Sequence, residues 1–301
     1  MRIEFTKMHG LGNDFMVIDN TTGRYDLQTD TVRALADRHH GVGFDQMLVV
    51  AKPSVTLAEF DYRIYNADGA EVEHCGNGAR CFAAFVRDKG LTDSTRIPVK
   101  TCAGLLSLEV LGEGQVKVLM GVPVFDAPKI PVNPALAISQ DTGSRYALAL
   151  DETAPKLATV EMQSLVRQSK AVESVEFCAV AIGNPHIVIP VNNVEQAPVN
   201  LLGPWLESHP MFANRINVGF MQIVDSHNIR LRVFERGVGE TNACGSGACA
   251  ALAACVRNDW TDSSAKVHLN GGTLTLDWPD ITQNVEMTGP CTKVFEGQIE
   301  L

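Results

Sequence analysis

What the chain lacks narrows its function before any motif is read. Its cations are too few and too scattered to form a basic stripe: 25 Lys and Arg against 35 Asp and Glu give a formal net charge of −10. That balance argues against a nucleic-acid backbone as partner, since such binding rests on clustered positive charge. No apolar segment follows Met1, and Arg2-Ile3-Glu4-Phe5-Thr6-Lys7 alternates like a strand, so no signal peptide is expected. The apolar run 177–191 is interrupted by Gly183, Asn184, Pro185, His186 and Pro190, so no membrane span is expected. There is no Cys-x-x-Cys pair or Cys/His quartet, and no metal site is expected. Gly10-Leu11-Gly12-Asn13-Asp14 lacks the third glycine of a dinucleotide loop and runs into a strand pattern at 15–19 instead of a helix. Gly237-Val238-Gly239-Glu240-Thr241 lacks the Lys-Ser/Thr ending of a phosphate loop. No lysine stands in a setting that suggests a pyridoxal phosphate Schiff base. The expectation is a protein without cofactor.

What is present is ordinary globular material with one unusual feature. Apolar residues make up 45% and charged residues 20%, and 301 residues correspond to two domains at roughly 150 each. Eight cysteines in a chain without an export signal are expected to be reduced thiols in the cytosol. The unusual feature is a repeat. Cys75-Gly76-Asn77-Gly78-Ala79 recurs as Cys244-Gly245-Ser246-Gly247-Ala248, 169 positions on, and the same offset carries Thr92-Asp93-Ser94 onto Thr261-Asp262-Ser263. After each turn apolar residues follow at helical spacing: Ala79, Phe82, Ala83 and Val86, then Ala248, Ala251, Leu252 and Cys255.

The remaining pattern is strand-rich. In the first half strands are predicted at 16–18, 47–50 and 60–64, a short helix at 31–40, and, after the Cys75 helix, strands at 97–100, 105–111 and 115–120. The second half repeats the plan with strands at 177–182, 186–191, 218–224 and 229–234, the Cys244 helix, and strands at 267–269, 273–278 and one or two within 285–301. The stretch 127–175 has weaker periodicity, with a helix predicted at 159–170, and reads as an elaboration without chemistry. The class is α+β, two similar domains, each a curled, mostly antiparallel sheet around a central helix.

A thiol at a helix N-terminus has its anion stabilised by unsatisfied N–H groups and the positive end of the helix dipole. The N–H groups of Gly76, Asn77, Gly245 and Ser246 are suited to hold a carboxylate. Two such helix ends facing one ligand suit inversion at an α-carbon, one sulfur removing a proton while the other supplies one to the opposite face. A redox dithiol is the other functional reading of the pair. Cys81, Cys102, Cys178, Cys249, Cys255 and Cys291 read as packing residues. Glu235-Arg236, beside the second thiol turn, suggests recognition of an ammonium and a carboxylate. Asn66, Asn184, Asn217 and His186 sit where turn formers and a core histidine are equally at home, and the residues alone leave them open.

Taken together, His9-Gly10-Leu11-Gly12-Asn13-Asp14-Phe15, Asn66-Ala67-Asp68-Gly69, Cys75-Gly76-Asn77-Gly78-Ala79-Arg80-Cys81, Gly183-Asn184-Pro185-His186, Glu235-Arg236-Gly237-Val238-Gly239-Glu240-Thr241 and Ala243-Cys244-Gly245-Ser246-Gly247-Ala248-Cys249 resemble the diaminopimelate epimerase family. The order of these motifs spans the chain. The resemblance implies cofactor-independent interconversion of LL- and meso-diaminopimelate, in lysine and peptidoglycan precursor synthesis, by two pseudo-symmetric domains with the active site in the cleft between them. It implies Cys75 and Cys244 as acid/base thiols assisted by His186 and Glu235. Gly76, Asn77, Gly245 and Ser246 would take the reacting carboxylate, and Asn13, Gln46, Asn66, Asn184, Asn217, Glu235 and Arg236 would position the rest of the substrate. It also implies a homodimer, and a last strand that returns to the first domain, giving domains of 1–122 plus about 288–301 and of 123–287. The chain departs from the family at Ala70, where serine is usual, and around 134–175, which is longer. The rivals are a proline racemase-like enzyme and a non-catalytic thiol protein. The former is disfavoured because Glu235-Arg236 and the three asparagines fit a substrate with a second charged end.

Overall fold

The 169-residue repeat in sequence is a repeat in structure. The computed structural model describes residues 2–72, 75–140, 145–165 and 173–300. The chain divides into two compact units, Met1–Leu119 with Thr288–Leu301, and Met120–Met287.

The first unit opens with β1 (Arg2–Gly10) and β2 (Asn13–Asn20), followed by α1 (Thr29–Ala36), β3 (Gln46–Ala51), β4 (Phe60–Asn66), α2 (Gly76–Asp88), β5 (Arg96–Thr101), β6 (Gly104–Gly112) and β7 (Gln115–Leu119). The second contains β8 (Ser139–Gln140), β9 (Arg145–Ala149), α3 (Thr159–Ser164), β10 (Ser174–Ile182), β11 (Asn184–Pro190), α4 (Val199–Glu207), β12 (Asn217–Asp225), β13 (Asn228–Glu235), β14 (Gly239–Thr241), α5 (Gly245–Arg257), β15 (Ser264–Leu269) and β16 (Gly272–Asp277). Then come β17 (Glu286–Pro290) and β18 (Thr292–Glu300), the latter pairing antiparallel with β1.

Neighbouring strands are mostly antiparallel, and the exceptions recur in both units. β2 runs parallel to β3 and β4 to β5; β11 runs parallel to β12 and β13 to β15. Parallel neighbours require a crossover, and in each case a helix lies in the connection. The long crossover helices α2 and α5 are the two thiol helices. Each packs on the strands of its own unit: α2 on β1, β2, β3, β6 and β7, and α5 on β10, β11, β12, β13, β15 and β16.

Both helices are buried on nearly every side, as their small apolar residues allow. The strands between helix and outer layer are therefore apolar on both faces. In β2, Phe15 lies near Gly78 of α2, while Met16 and Ile18 join Val32 and Leu35 of α1 in a second core layer. In the second unit the outer layer is formed by Leu202 and Leu206 of α4 against Ile187, Ile189, Val218 and Phe220.

Three features differ from the sequence expectation. Helix α1 stops at Ala36, short of the predicted 40, because the Asp37 carboxylate accepts the N–H groups of His39 and His40, both at 2.7 Å, and turns the chain. Helix α4 was not among the predicted elements; it contains Gly203 and Pro204, and packing outweighs their poor propensity. The stretch 127–175 is not merely peripheral: Ile130, Val132, Tyr146, Leu148 and Leu165 enter the second unit's core, and β9 extends its sheet by pairing with β10. Of the helix predicted at 159–170, the structure shows Thr159–Ser164, and residues 166–170 lie outside the described residues.

Candidate active site

In the first unit, strand register collects the predicted residues. Gln46 stands opposite Phe15 on one side and Asn66 on the other, so Asn13, Gln46 and Asn66 share one end of β2, β3 and β4. Gln46 Nε2 donates to Asn66 Oδ1 at 2.9 Å. Beyond Asn66 the chain turns at Gly69, whose φ of +82° suits glycine and whose Cβ would meet Thr29 at 2.6 Å.

Cys75 is the N-cap of α2, and its sulfur accepts the Gly78 N–H at 3.3 Å. The sulfur also lies 3.7 Å from Asn13 Oδ1, which is 3.4 Å from Asn77 Nδ2. Behind them Tyr62 donates its hydroxyl to the Cys75 carbonyl at 3.4 Å, and burial pushes that phenol well above its ordinary value. Arg80, fully buried in α2, donates to Asn77 Oδ1 at 2.9 Å, to the Gly76 carbonyl at 3.4 Å and to the Pro290 carbonyl at 3.1 Å.

The second unit builds its counterpart from β11, β12, β13 and α5. Parallel register sets His186 beside Asn217. Asn217 donates to the Pro185 carbonyl at 2.8 Å and accepts the Arg236 N–H at 3.0 Å, which ties the Glu235-Arg236 corner to β11. Cys244 caps α5 and is buried, with Ser246 Oγ at 3.6 Å from its sulfur. His186 Nε2 lies 3.0 Å from Ser246 Oγ and 3.1 Å from Asn184 Oδ1.

Electrostatics distinguish these groups. Burial and the nearby Glu235 carboxylate push the Cys244 thiol well above its usual value, outweighing the Ser246 hydroxyl and Gly247 amide that favour its anion, so Cys244 rests as a thiol. Burial, helped by the Arg236 charge, holds His186 down at about 3, so its ring is neutral throughout the physiological range. Thr241 donates to Glu235 Oε1 at 2.5 Å.

Comparison with known proteins shows the family. The profile of the diaminopimelate epimerase family matches residues 5–125 and 178–294, which takes in all the site residues above and ends near the start of β18. The diaminopimelate epimerase of Azotobacter vinelandii is 48% identical over 301 residues, covering all of both chains. That of Pseudomonas aeruginosa is 47% identical over 301 residues, again covering all of both. This chain belongs to the diaminopimelate epimerase family.

Solved structures place this family member in a wider fold group. A PhzF-family phenazine biosynthesis protein of Bacillus anthracis superposes with a TM-score of 0.65 at 15% identity, over all of both chains. A hydroxyproline epimerase of Agrobacterium vitis, solved with trans-4-hydroxy-L-proline, gives 0.65 at 14% identity over 99% of this chain and 91% of that one. At such identities the likeness shows the fold alone, an α+β arrangement of two similar sheet-dominated units.

Several residues that hold the half-sites in place were not predicted from sequence. Arg80 sits inside the first thiol motif, and its position between Ala79 and Cys81 among the helix's apolar residues was a signal that it is buried for a reason. Glu207, at the end of α4, accepts the Gly237 N–H at 2.9 Å and pairs with Arg215 at 2.5 Å, so it braces the Arg236 corner. Nothing local marks it, because its partners lie 8 and 30 residues away. Asp45 accepts from Asn13 Nδ2 at 2.9 Å, and its place next to Gln46 was the available clue. Among the described residues no group of three or more His, Cys, Asp or Glu side chains is placed to hold a metal ion, and no helix is long and apolar enough to cross a membrane.

Proposed function

We propose that this isomerase interconverts LL- and meso-2,6-diaminopimelate with Cys75 and Cys244 as its two acid/base groups. The observation that carries the mechanism is the recurrence, in each unit independently, of a thiol at the N-terminus of a buried crossover helix. Identity of 46–48% to full-length diaminopimelate epimerases supports the substrate over a cyclic imino acid.

An α-proton is far less acidic than a thiol, so carbanion character must be stabilised as it develops. The N–H groups of Gly76, Asn77, Gly245 and Ser246 would do this at the reacting carboxylate, where helix-end dipoles are already oriented. Cys244, held toward its thiol form by burial and Glu235, is suited to give a proton, and Cys75, at the other helix end, to take one. His186, neutral and buried, acts through Ser246 by holding its hydroxyl beside Cys244. Glu235 and Arg236 would take an ammonium and a carboxylate of the substrate, and Asn13, Gln46, Asn66, Asn184 and Asn217 its remaining polar atoms. No cofactor takes part in this reading. The same reading places the enzyme in the cytoplasm, where lysine and peptidoglycan precursors are made, and as a homodimer.

The test is α-proton exchange by NMR in D2O on reduced protein with LL-diaminopimelate, and proline in parallel. Exchange with formation of meso product is expected, with none from proline. Cys75→Ala and Cys244→Ala should each lower turnover by at least about 10²–10⁴-fold, the usual worth of a positioned acid or base. Full activity in either variant would overturn the two-thiol mechanism.

A further inference from the structure

We infer that Asp45 is a positioning residue that turns the carboxamide oxygen of Asn13 toward the Cys75 sulfur, so that the surroundings hydrogen-bond the protonated thiol. A carboxamide has one acceptor end and one donor end, and only its partners decide which way it faces. Asn13 is held from two sides by partners with no freedom of role. A carboxylate only accepts, so Asp45 Oδ2, at 2.9 Å, claims the Asn13 NH2. A guanidinium only donates, so Arg80 at 2.9 Å claims Asn77 Oδ1, which leaves the Asn77 NH2 to point at Asn13 Oδ1, 3.4 Å away. Both constraints give the same result. Asn13 presents oxygen, not nitrogen, to the sulfur at 3.7 Å.

Asp45 is itself fixed. Its Oδ2 also accepts the Asp14 N–H at 3.1 Å, and its own N–H donates to Asp14 Oδ1 at 3.1 Å. Arg38 bridges Asp45 Oδ1 and Asp14 Oδ1, both at 2.8 Å, and Lys7 pairs with Asp14 at 2.5 Å. Two adjacent carboxylates would repel one another, and the two cations offset this: against its burial, the Asp14 carboxyl is held well below the usual range by Arg38 and Lys7. The Lys7–Asp14–Arg38–Asp45 cluster thus keeps an acceptor-only group against Asn13.

The consequence rests on the two-thiol reading above. An acceptor at the sulfur favours the S–H form, so the Cys75 thiolate becomes a stronger base toward a weakly acidic α-proton. An NH2 in the same place would quench it.

The experiment measures Cys75 alone and needs no turnover. Iodoacetamide is applied at pH 7 to the intact protein, and labelling of the Cys75 peptide is followed by mass spectrometry, beside a thermal melt of each variant. In Asp45→Asn the new side chain is able to donate, Asn13 gains the flipped orientation, and Cys75 labelling should quicken about fivefold, the factor that one typical hydrogen bond is worth. The same change made in Asn13→Ala should have no effect on labelling, the non-additivity expected of residues acting through one another. Tyr62 and Cys81, whose charges couple to this sulfur, are the same in every variant. Unchanged labelling in folded Asp45→Asn would overturn the inference. So would a gain that survives the loss of Asn13, because removing a nearby negative charge would then explain it. Should Asp45→Asn not fold, Asp45→Ala removes the acceptor that claims the Asn13 NH2 and is read by the same two comparisons. Because labelling is independent of catalysis, its result stands apart from that of the proton-exchange test.

Discussion

At the scale of single residues, the two thiols share a position and differ in setting. Cys75 is half-buried and bonded to a backbone N–H, whereas Cys244 is buried under the influence of Glu235. The difference in solvent access lies in tertiary contacts, since the five-residue motifs are nearly identical. His186 gives this scale its sharpest prediction. Its native pKa of about 3 lies below the ordinary value of 6.5, so between these limits the unfolded chain binds a proton that the native protein refuses. The stabilising effect of the neutral ring is therefore complete above pH 6.5 and is lost progressively as pH falls toward 3. Denaturant melts from pH 8 to 4 should show a loss of stability over that range that His186→Gln reduces. Ring-proton NMR signals of His186 that titrate near pH 6.5 would contradict it.

At the scale of elements, the helices that carry the thiols are legible in sequence and the element that braces their neighbours is not. Alternation and helical spacing pick out β4, α2, β13 and α5, because those patterns are set by the faces that each element must bury. Helix α4 is invisible to such reasoning. Its Gly203 is there for contact: a Cβ would meet the Phe234 ring at 2.6 Å. Phe234 precedes Glu235 on β13, so this close approach of helix and strand fixes where the Glu235-Arg236 corner begins. Gly203→Ala should destabilise the protein by about 1–3 kcal/mol through overpacking. It should also raise the KM for diaminopimelate more than it lowers kcat, since the corner that shifts is the one assigned to substrate charge. Steady-state kinetics beside a denaturant melt would check both effects. A variant with the stability loss and no change in KM would show that α4 supports the core without setting the corner.

At the scale of the whole molecule, the chain leaves its first unit after β7, builds the second, and returns as β18 to pair with β1 through eight residue pairs. Phe5 lies across Gly297, where any side chain would meet its ring at 2.6 Å, so this last pairing is matched in shape as well as in register. The first unit is therefore complete only when the final residues have joined it. The proposed homodimer belongs to this scale. Light scattering on the purified protein should give twice the 32.6 kDa of one chain, and a mass of one chain at micromolar concentration would refute it.

By itself the sequence determined the repeat, the helices that begin at each thiol, the strand patterns around them and the chemistry that two such thiols support. These follow from local rules: period, capping, and the residue types that can hold an anion. Tertiary structure alone decided that Arg80 is buried against Asn77, that Glu207 braces Gly237, that Asp45 orients Asn13, and that Cys244 is pressed toward its protonated form. Burial, the direction of an amide and the pKa of a thiol depend on which distant groups lie within a few ångströms. That proximity belongs to the packed fold.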